Sequence, residues 1–325
     1  MSRRCVTGIP ERVAVIGGGA IGAAFACVCA DAGAAVVVAD PDAAQRADLA
    51  ERVAQKHGAM ASAGLARGPA DAAVQRVAAV PSVAEAAEDA LLVIETGPER
   101  LDAKQAIFAE LLAATSEDTP ICTASSAITA SQIVPDAAAQ RRCMVAHPAN
   151  PPTLLRVLEI VPAPGTAADA VERADAAFRA LGFDPSRLGK EVPGFVFNRL
   201  QGAILREAYR LVDEGVIDVD GLDRLVRNGI GPRWALCGPF ENAELNTAGG
   251  IRGHAARMGP AYRAIGEARG ETAAGWSDAL VARVEAERRA LCAEGALPER
   301  RAWRERALAR LLAARKALMT DGDGG

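Results

Sequence analysis

The sequence predicts an α/β fold in which a doubly wound, mostly parallel sheet is followed by an all-α C-terminal domain. Three observations carry that prediction. Short apolar runs alternate with helix-like segments between Arg12 and Ala163, as in successive βαβ units. A glycine-rich turn, "GGGAIG", joins the first run to the first helix. After "RLGKEVPGFVFNRL" the apolar residues recur only at helical spacing, which puts the boundary near Lys190 and gives domains 1–190 and 191–325.

Taken in order, "RVAVI" (Arg12 to Ile16) reads as the first strand, "AAFACVCADAGA" as a helix and "AVVVAD" as the second strand, a βαβ unit within roughly 30 residues. Pro41 to Gly68 reads as a polar-faced helix whose pattern fades near "HGAMASAGLARGPA". "ALLVIET" follows as strand, "ERLDAKQAIFAELLAAT" as helix, and "TPICTAS", "RCMVAH" and "RVLEIVPA" as further strands, the final ones open to mixed orientation. In the second domain "FNRLQGAILREAYRLVDEGV" is an amphipathic helix, Asp218 to Gly229 a second helix, and "GIGPRWALCGPFENAE" a Gly/Pro-broken loop. "ALVARVEAERRALCAEG" and "RRAWRERALARLLAARKALM" are amphipathic helix, and the tail "TDGDGG" is expected to be disordered.

A chain of 325 residues, half of them apolar, suits two globular domains. The net charge of -4, with scattered arginines, argues against nucleic acid or an anionic membrane surface as a partner. No apolar run approaches the roughly 18 uncharged residues of a spanning helix, and "MSRRCVTGIPERVAV" lacks the hydrophobic region of a secretion signal. The seven cysteines include no Cys-x-x-Cys. They read as small buried hydrophobes in a reducing compartment, so a cytoplasmic location is expected.

Gly17, Gly19 and Gly22 spell G-x-G-x-x-G between a strand and a helix, the context that gives this short motif its meaning. Gly17 permits the tight turn, Gly19 lets a pyrophosphate approach a helix N-terminus, and Gly22 lets helix and strand pack closely. Asp40, ending the second strand, can accept both ribose hydroxyls and repels a 2′-phosphate. A Rossmann-type domain that binds NAD is expected, with Arg46 the residue that speaks for NADP.

The stretch "VAHPANPP" holds one of only three histidines, at the end of an expected strand, where ligands bind in such sheets. Glu159, on the next apolar run, can orient the His147 imidazole so that its other nitrogen takes a proton from an alcohol. Ser126 and Asn198 can hydrogen-bond the reacting oxygen. Each has a plainer reading: an Arg156 ion pair for Glu159, a helix-terminal role for Asn198, and a helix cap for Ser125 or Ser126.

"GGGAIG", "AHPANPP" followed by "LEIV", and "KEVPGFVFNRLQGAILREAYRLVDEGV" resemble the L-3-hydroxyacyl-CoA dehydrogenase superfamily over essentially the whole chain. Within it, "HPANPP", "GIGPRWALCGPFE" and "RAWRERALARL" are similar to the branch containing lambda-crystallin (L-gulonate 3-dehydrogenase) and carnitine dehydrogenase. The resemblance implies catalytic roles for His147, Glu159 and Asn198, with the family serine on Ser126. Ser125, where threonine is usual, is the alternative. It further implies Glu99 and Lys104 near the nicotinamide ribose, substrate held between the domains, a homodimer formed through the helical domain, and NAD-linked oxidation of a 3-hydroxy acid or thioester. A CoA thioester needs basic residues for its phosphates, and Lys56, Arg67 and Arg76 are sparse. Arg233, whose planar fork suits a carboxylate, is the expected substrate-acid contact, from its own or the partner subunit, with a salt bridge to an Asp or Glu as its plainer reading.

Overall fold

A computed structural model describes residues 8–271, 275 and 277–322. The chain divides into two units, Met1–Ile204 and Leu205–Gly325. In the first, β1 (Arg12–Ile16), β2 (Ala35–Ala39), β3 (Val77–Val80), β4 (Leu92–Glu95), β5 (Ile121–Thr123), β6 (Cys143–Pro148), β7 (Val157–Pro162) and β8 (Asp184–Arg187) form one sheet. Its order is β3-β2-β1-β4-β5-β6-β7-β8. Neighbours are parallel except β6 and β7, which run antiparallel with His147 opposite Glu159. The order reverses between β1 and β4, and ligands bind outside the carboxyl ends of the strands at such a switch point. This is the Rossmann-type, doubly wound arrangement expected from the sequence.

The helices around this sheet are α1 (Ala20–Ala32), α2 (Ala43–Ala47), α3 (Leu49–Ser62), α4 (Ala70–Val74), α5 (Val83–Ala87), α6 (Leu101–Ala114), α7 (Ala130–Ile133) and α8 (Ala168–Leu181). Successive strand side chains point to opposite faces. Val13, Val15, Val36, Val38 and Ile94 enter a core with Phe25 of α1, Met60 of α3 and Phe178 of α8. Ala14, Ile16, Val37 and Val93 enter a second core with Phe108 and Leu111 of α6. Burial on both faces is why these strands are unbroken apolar runs in the sequence.

Two strands were not expected. β3 and β8 are the sheet edges, where β3 exposes Ala78 and Ala79 and β8 carries Pro185, a residue that edge strands tolerate. The one helix expected over residues 41–68 is two, α2 and α3, and α3 ends at Ser62, inside the stretch where the pattern fades, with His57 and Met60 on its buried face.

α9 (Phe197–Asp213) runs through the division between the units, and α10 (Val219–Leu225), α11 (Gly231–Trp234), α12 (Pro239–Leu245), α13 (Gly250–Ala268), α14 (Asp278–Leu291) and α15 (Leu297–Gly322) complete the helical second unit. The supposed Gly/Pro loop holds α11 and α12, whose Pro232 and Pro239 occupy first turns, where a missing N–H costs nothing. α15 includes Thr320 to Gly322 of the tail expected to be disordered, and residues 323–325 lie outside the described residues. Cys27, Cys29, Cys122, Cys143 and Cys237 are buried free thiols. Burial pushes Cys27 and Cys29 up to about 12, so they are packing groups rather than nucleophiles. Among the described residues no helix is long and apolar enough to cross a membrane.

Candidate active site

The chain leaves β1 through Gly17, whose φ of 101° is a left-handed conformation natural only to glycine. At Gly22 a Cβ would lie 1.9 Å from the Gly17 carbonyl oxygen, so only a glycine lets α1 pack this close. Gly19 is the N-cap of α1, and a Cβ there would meet nothing within 4 Å. That side of the turn is open, beside the N–H groups of a helix start that attract an anion.

Asp40 stands just beyond β2, its Oδ2 accepting from Gly18 N (2.7 Å) and its Oδ1 from Asp42 N (2.9 Å). The backbone thus fixes the carboxylate while its other lone pairs stay available to ribose hydroxyls. Arg46 donates Nη1 to the Asp40 and Pro41 carbonyls (2.8 and 2.9 Å), which ties it to the chain rather than extending it toward a 2′-phosphate. Sequence reasoning missed Arg52 of α3, which clamps the glycine turn by donating to Gly18 O and Gln45 O (both 2.6 Å). Its partners are backbone carbonyls, which no side-chain motif signals. An open helix start, a close-packed glycine turn and a pinned carboxylate fit a dinucleotide.

β6 and β7 place His147 and Glu159 side by side, and Nδ1 of the imidazole lies 2.7 Å from Glu159 Oε2. Glu159 Oε1 accepts from Val196 N (2.7 Å) and Phe197 N (3.0 Å) at the start of α9. Burial alone raises the pKa of Glu159, but the His147 bond and the two N–H groups outweigh it and hold the carboxyl below its ordinary value. A carboxylate there accepts from Nδ1–H. Nε2 makes no hydrogen bond among the described residues, so it is free to receive a proton. The rings of Phe195 and Phe197 flank the imidazole at 5.5 and 6.4 Å. The other two histidines have structural partners, Asp31 for His57 (3.0 Å) and Thr247 for His254 (3.2 Å).

The turn after β5 holds both candidate serines. Ser125, 1% exposed, donates its hydroxyl to Glu99 Oε1 (2.6 Å) and accepts from Ile128 N (2.8 Å). The Ser126 hydroxyl is exposed and makes no hydrogen bond among the described residues. Ser126 O accepts from Asn198 Nδ2 (3.0 Å), and Ser126 N donates to Glu99 Oε1 (3.0 Å). Burial raises the Glu99 pKa, but the Ser125 hydroxyl, the Lys104 charge and the Ser126 and Ala127 N–H groups outweigh it and depress the net value. Lys104 is 1% exposed and bonds Glu95, a residue that sequence reasoning passed over as the end of a strand. Arg233 belongs to the second unit, where its Nε donates to Gly229 O (3.1 Å) and its guanidinium makes no ion pair among the described residues.

A doubly wound sheet with this dinucleotide corner and a His–Glu pair at its carboxyl edge defines an NAD-linked dehydrogenase. Residues 12–192 match the 3-hydroxyacyl-CoA dehydrogenase NAD binding domain and residues 194–289 the 3-hydroxyacyl-CoA dehydrogenase C-terminal domain. The chain belongs to the 3-hydroxyacyl-CoA dehydrogenase family and is an NAD-dependent enzyme acting on a CH–OH group. It is similar to lambda-crystallin of Oryctolagus cuniculus, with 32% identity over 92% of this chain and 94% of that one. With L-carnitine dehydrogenase of Pseudomonas aeruginosa it shares 38% identity over 77% of each chain. A solved structure of 3-hydroxybutyryl-CoA dehydrogenase from Escherichia coli superposes with a TM-score of 0.63 and 30% identity, covering 73% of this chain and 49% of that one.

Proposed function

We propose that this enzyme oxidises the 3-hydroxyl of a small L-3-hydroxy acid, L-gulonate-like or carnitine-like, with His147 as the base. The observation that carries the reading is the 2.7 Å contact of His147 Nδ1 with Glu159, which leaves Nε2 free. NAD, when bound, supplies the hydride acceptor. Ser126 and Asn198 hold the substrate hydroxyl, Nε2 takes its proton, and the Glu159 carboxylate stabilises the imidazolium that results. Because a proton is released, oxidation is favoured at alkaline pH.

The free acid is supported by the likeness to L-carnitine dehydrogenase and by the state of Arg67 and Arg76, two of the three basic residues considered for a CoA phosphate. Arg67 is bonded to Ala180 O (3.3 Å) and Arg76 to Ala72 O (2.8 Å), so neither guanidinium is wholly free. In this reading Arg233 holds the substrate carboxylate. A thioester substrate is the second reading, favoured by the likeness to the Escherichia coli 3-hydroxybutyryl-CoA enzyme. We further propose a cytoplasmic homodimer formed through the helical domain. The exposure of Leu200, Ile204, Leu205 and Tyr209 along α9 supports the pairing.

The test is His147→Gln. Its kcat is expected to fall about 10²–10⁴-fold, the worth of positioned acid–base catalysis, while NADH binding persists. A variant that turns over at the parental rate would remove His147 from the mechanism.

A further inference from the structure

The carboxyl end of β4 lies at the switch point of the sheet, and its last residue, Glu95, is a fully buried carboxylate that no part of the mechanism above employs. It is fully satisfied. Gly97 N donates to Oε1 (2.6 Å), Thr123 Oγ1 donates to Oε2 (2.6 Å), and Lys104 Nζ reaches both oxygens (3.1 and 2.9 Å). Replacing one partner of such a buried pair by an uncharged group strands the other's charge.

The Lys104 ammonium held by Glu95 also lies 3.4 Å from Glu99 Oε2. The other oxygen of Glu99 receives three groups of the serine turn, Ser125 Oγ (2.6 Å), Ser126 N (3.0 Å) and Ala127 N (3.2 Å). The same turn offers Ser126 O to Asn198. A continuous chain of charge-assisted bonds, with the Lys104–Glu99 ion pair as one link, therefore runs from Glu95 through Lys104 and Glu99 to the backbone that carries the Ser126 hydroxyl. Thr123 closes the loop from the other side, since its hydroxyl accepts from Ser125 N (3.2 Å) while donating to Glu95.

We infer that Glu95 is a positioning residue for hydroxyl oxidation: it fixes Lys104 and through Glu99 sets the turn that presents Ser126. Its charge is the essential feature. A glutamine of the same shape leaves Lys104 with Glu99 as its one carboxylate among the described residues, which draws Glu99 toward the ammonium and off the serine turn. The inference rests on the role proposed for Ser126.

The experiment is a double-mutant cycle on kcat, with active sites counted by NADH titration so that a loss of folded enzyme does not enter. Glu95→Gln is expected to lower kcat per site about 10- to 100-fold, the scale of a small misplacement at a reacting group. In a Ser126→Ala background the same change is expected to cost less than about twofold, because its route of action is already gone. If Glu95→Gln does not fold, Glu95→Asp, which draws the carboxylate back from Lys104 and leaves Thr123 and the serine turn unchanged in sequence, repeats the cycle with a smaller loss and decides the matter. Equal losses in both backgrounds would overturn the assignment of Glu95 while leaving Ser126 in place. So would a reduced number of sites with unchanged kcat per site, the signature of a merely structural group. A Ser126→Ala enzyme with parental kcat would overturn the role of Ser126 itself, and the assignment of Glu95 with it.

Discussion

Glu159→Gln keeps the shape of the side chain and removes its charge. The native carboxylate serves three donors, Nδ1–H of His147 (2.7 Å) and the N–H groups of Val196 (2.7 Å) and Phe197 (3.0 Å). Glutamine has one carbonyl oxygen and one NH₂ group, so it cannot accept on both sides. With its carbonyl toward α9, the NH₂ faces Nδ1 and drives the ring hydrogen to Nε2, the nitrogen that must be bare. With its carbonyl toward His147, two backbone donors face an NH₂ group, and each unsatisfied donor costs about 1–3 kcal/mol of stability. In either orientation the imidazolium loses a charge-assisted bond worth about 1.5–3 kcal/mol. That converts to about 10- to 160-fold in kcat. The assay is NADH formation at saturating substrate and cofactor, with the NADH Kd measured by fluorescence and expected to be unchanged. A kcat within about twofold of the parent would refute the reasoning.

Arg233→Ala is expected to raise KM about tenfold or more for every small hydroxy acid turned over, as loss of a charge-assisted contact requires. An unchanged KM in steady-state assays would discard the carboxylate contact. Acid stability follows from the depressed carboxyls of Glu159 and Glu99. A lowered folded-state value contributes stability that is complete above the unfolded value of about 4.3 and is lost as pH falls through the folded one. The thermal midpoint is therefore expected to drop as pH falls below about 5, and to drop less in Glu159→Gln than in the parent. Equal acid losses in the two proteins would show that Glu159 carries none of this dependence.

The central strands were legible because burial on both faces leaves a continuous apolar signal, as in "RVAVI" and "AVVVA". The edges were not: "VAAV" is half exposed and "DPSR" carries a proline, since each pairs on one side only. Prolines in "GPRW" and "PFENAEL" signal breaks in the sequence, yet in the fold they open helices. His147 was visible at a strand end and Glu159 on the next apolar run, and the antiparallel register that brings them together was not. Ser125 and Ser126 are neighbours with no difference in sequence that separates their roles. Their surroundings differ in the fold, one hydroxyl spent on Glu99 and the other exposed. Glu95 and Arg52 escaped notice because their partners, Thr123 and the Gly18 carbonyl, are brought close by tertiary contacts.

The most direct measurement is NADH appearance at alkaline pH with L-gulonate, L-carnitine, L-3-hydroxybutyrate and L-3-hydroxybutyryl-CoA assayed in parallel. Turnover of a free acid, with the thioester inert, is the predicted result. Turnover of the thioester alone would contradict the free-acid reading and retire Arg233 as the carboxylate contact.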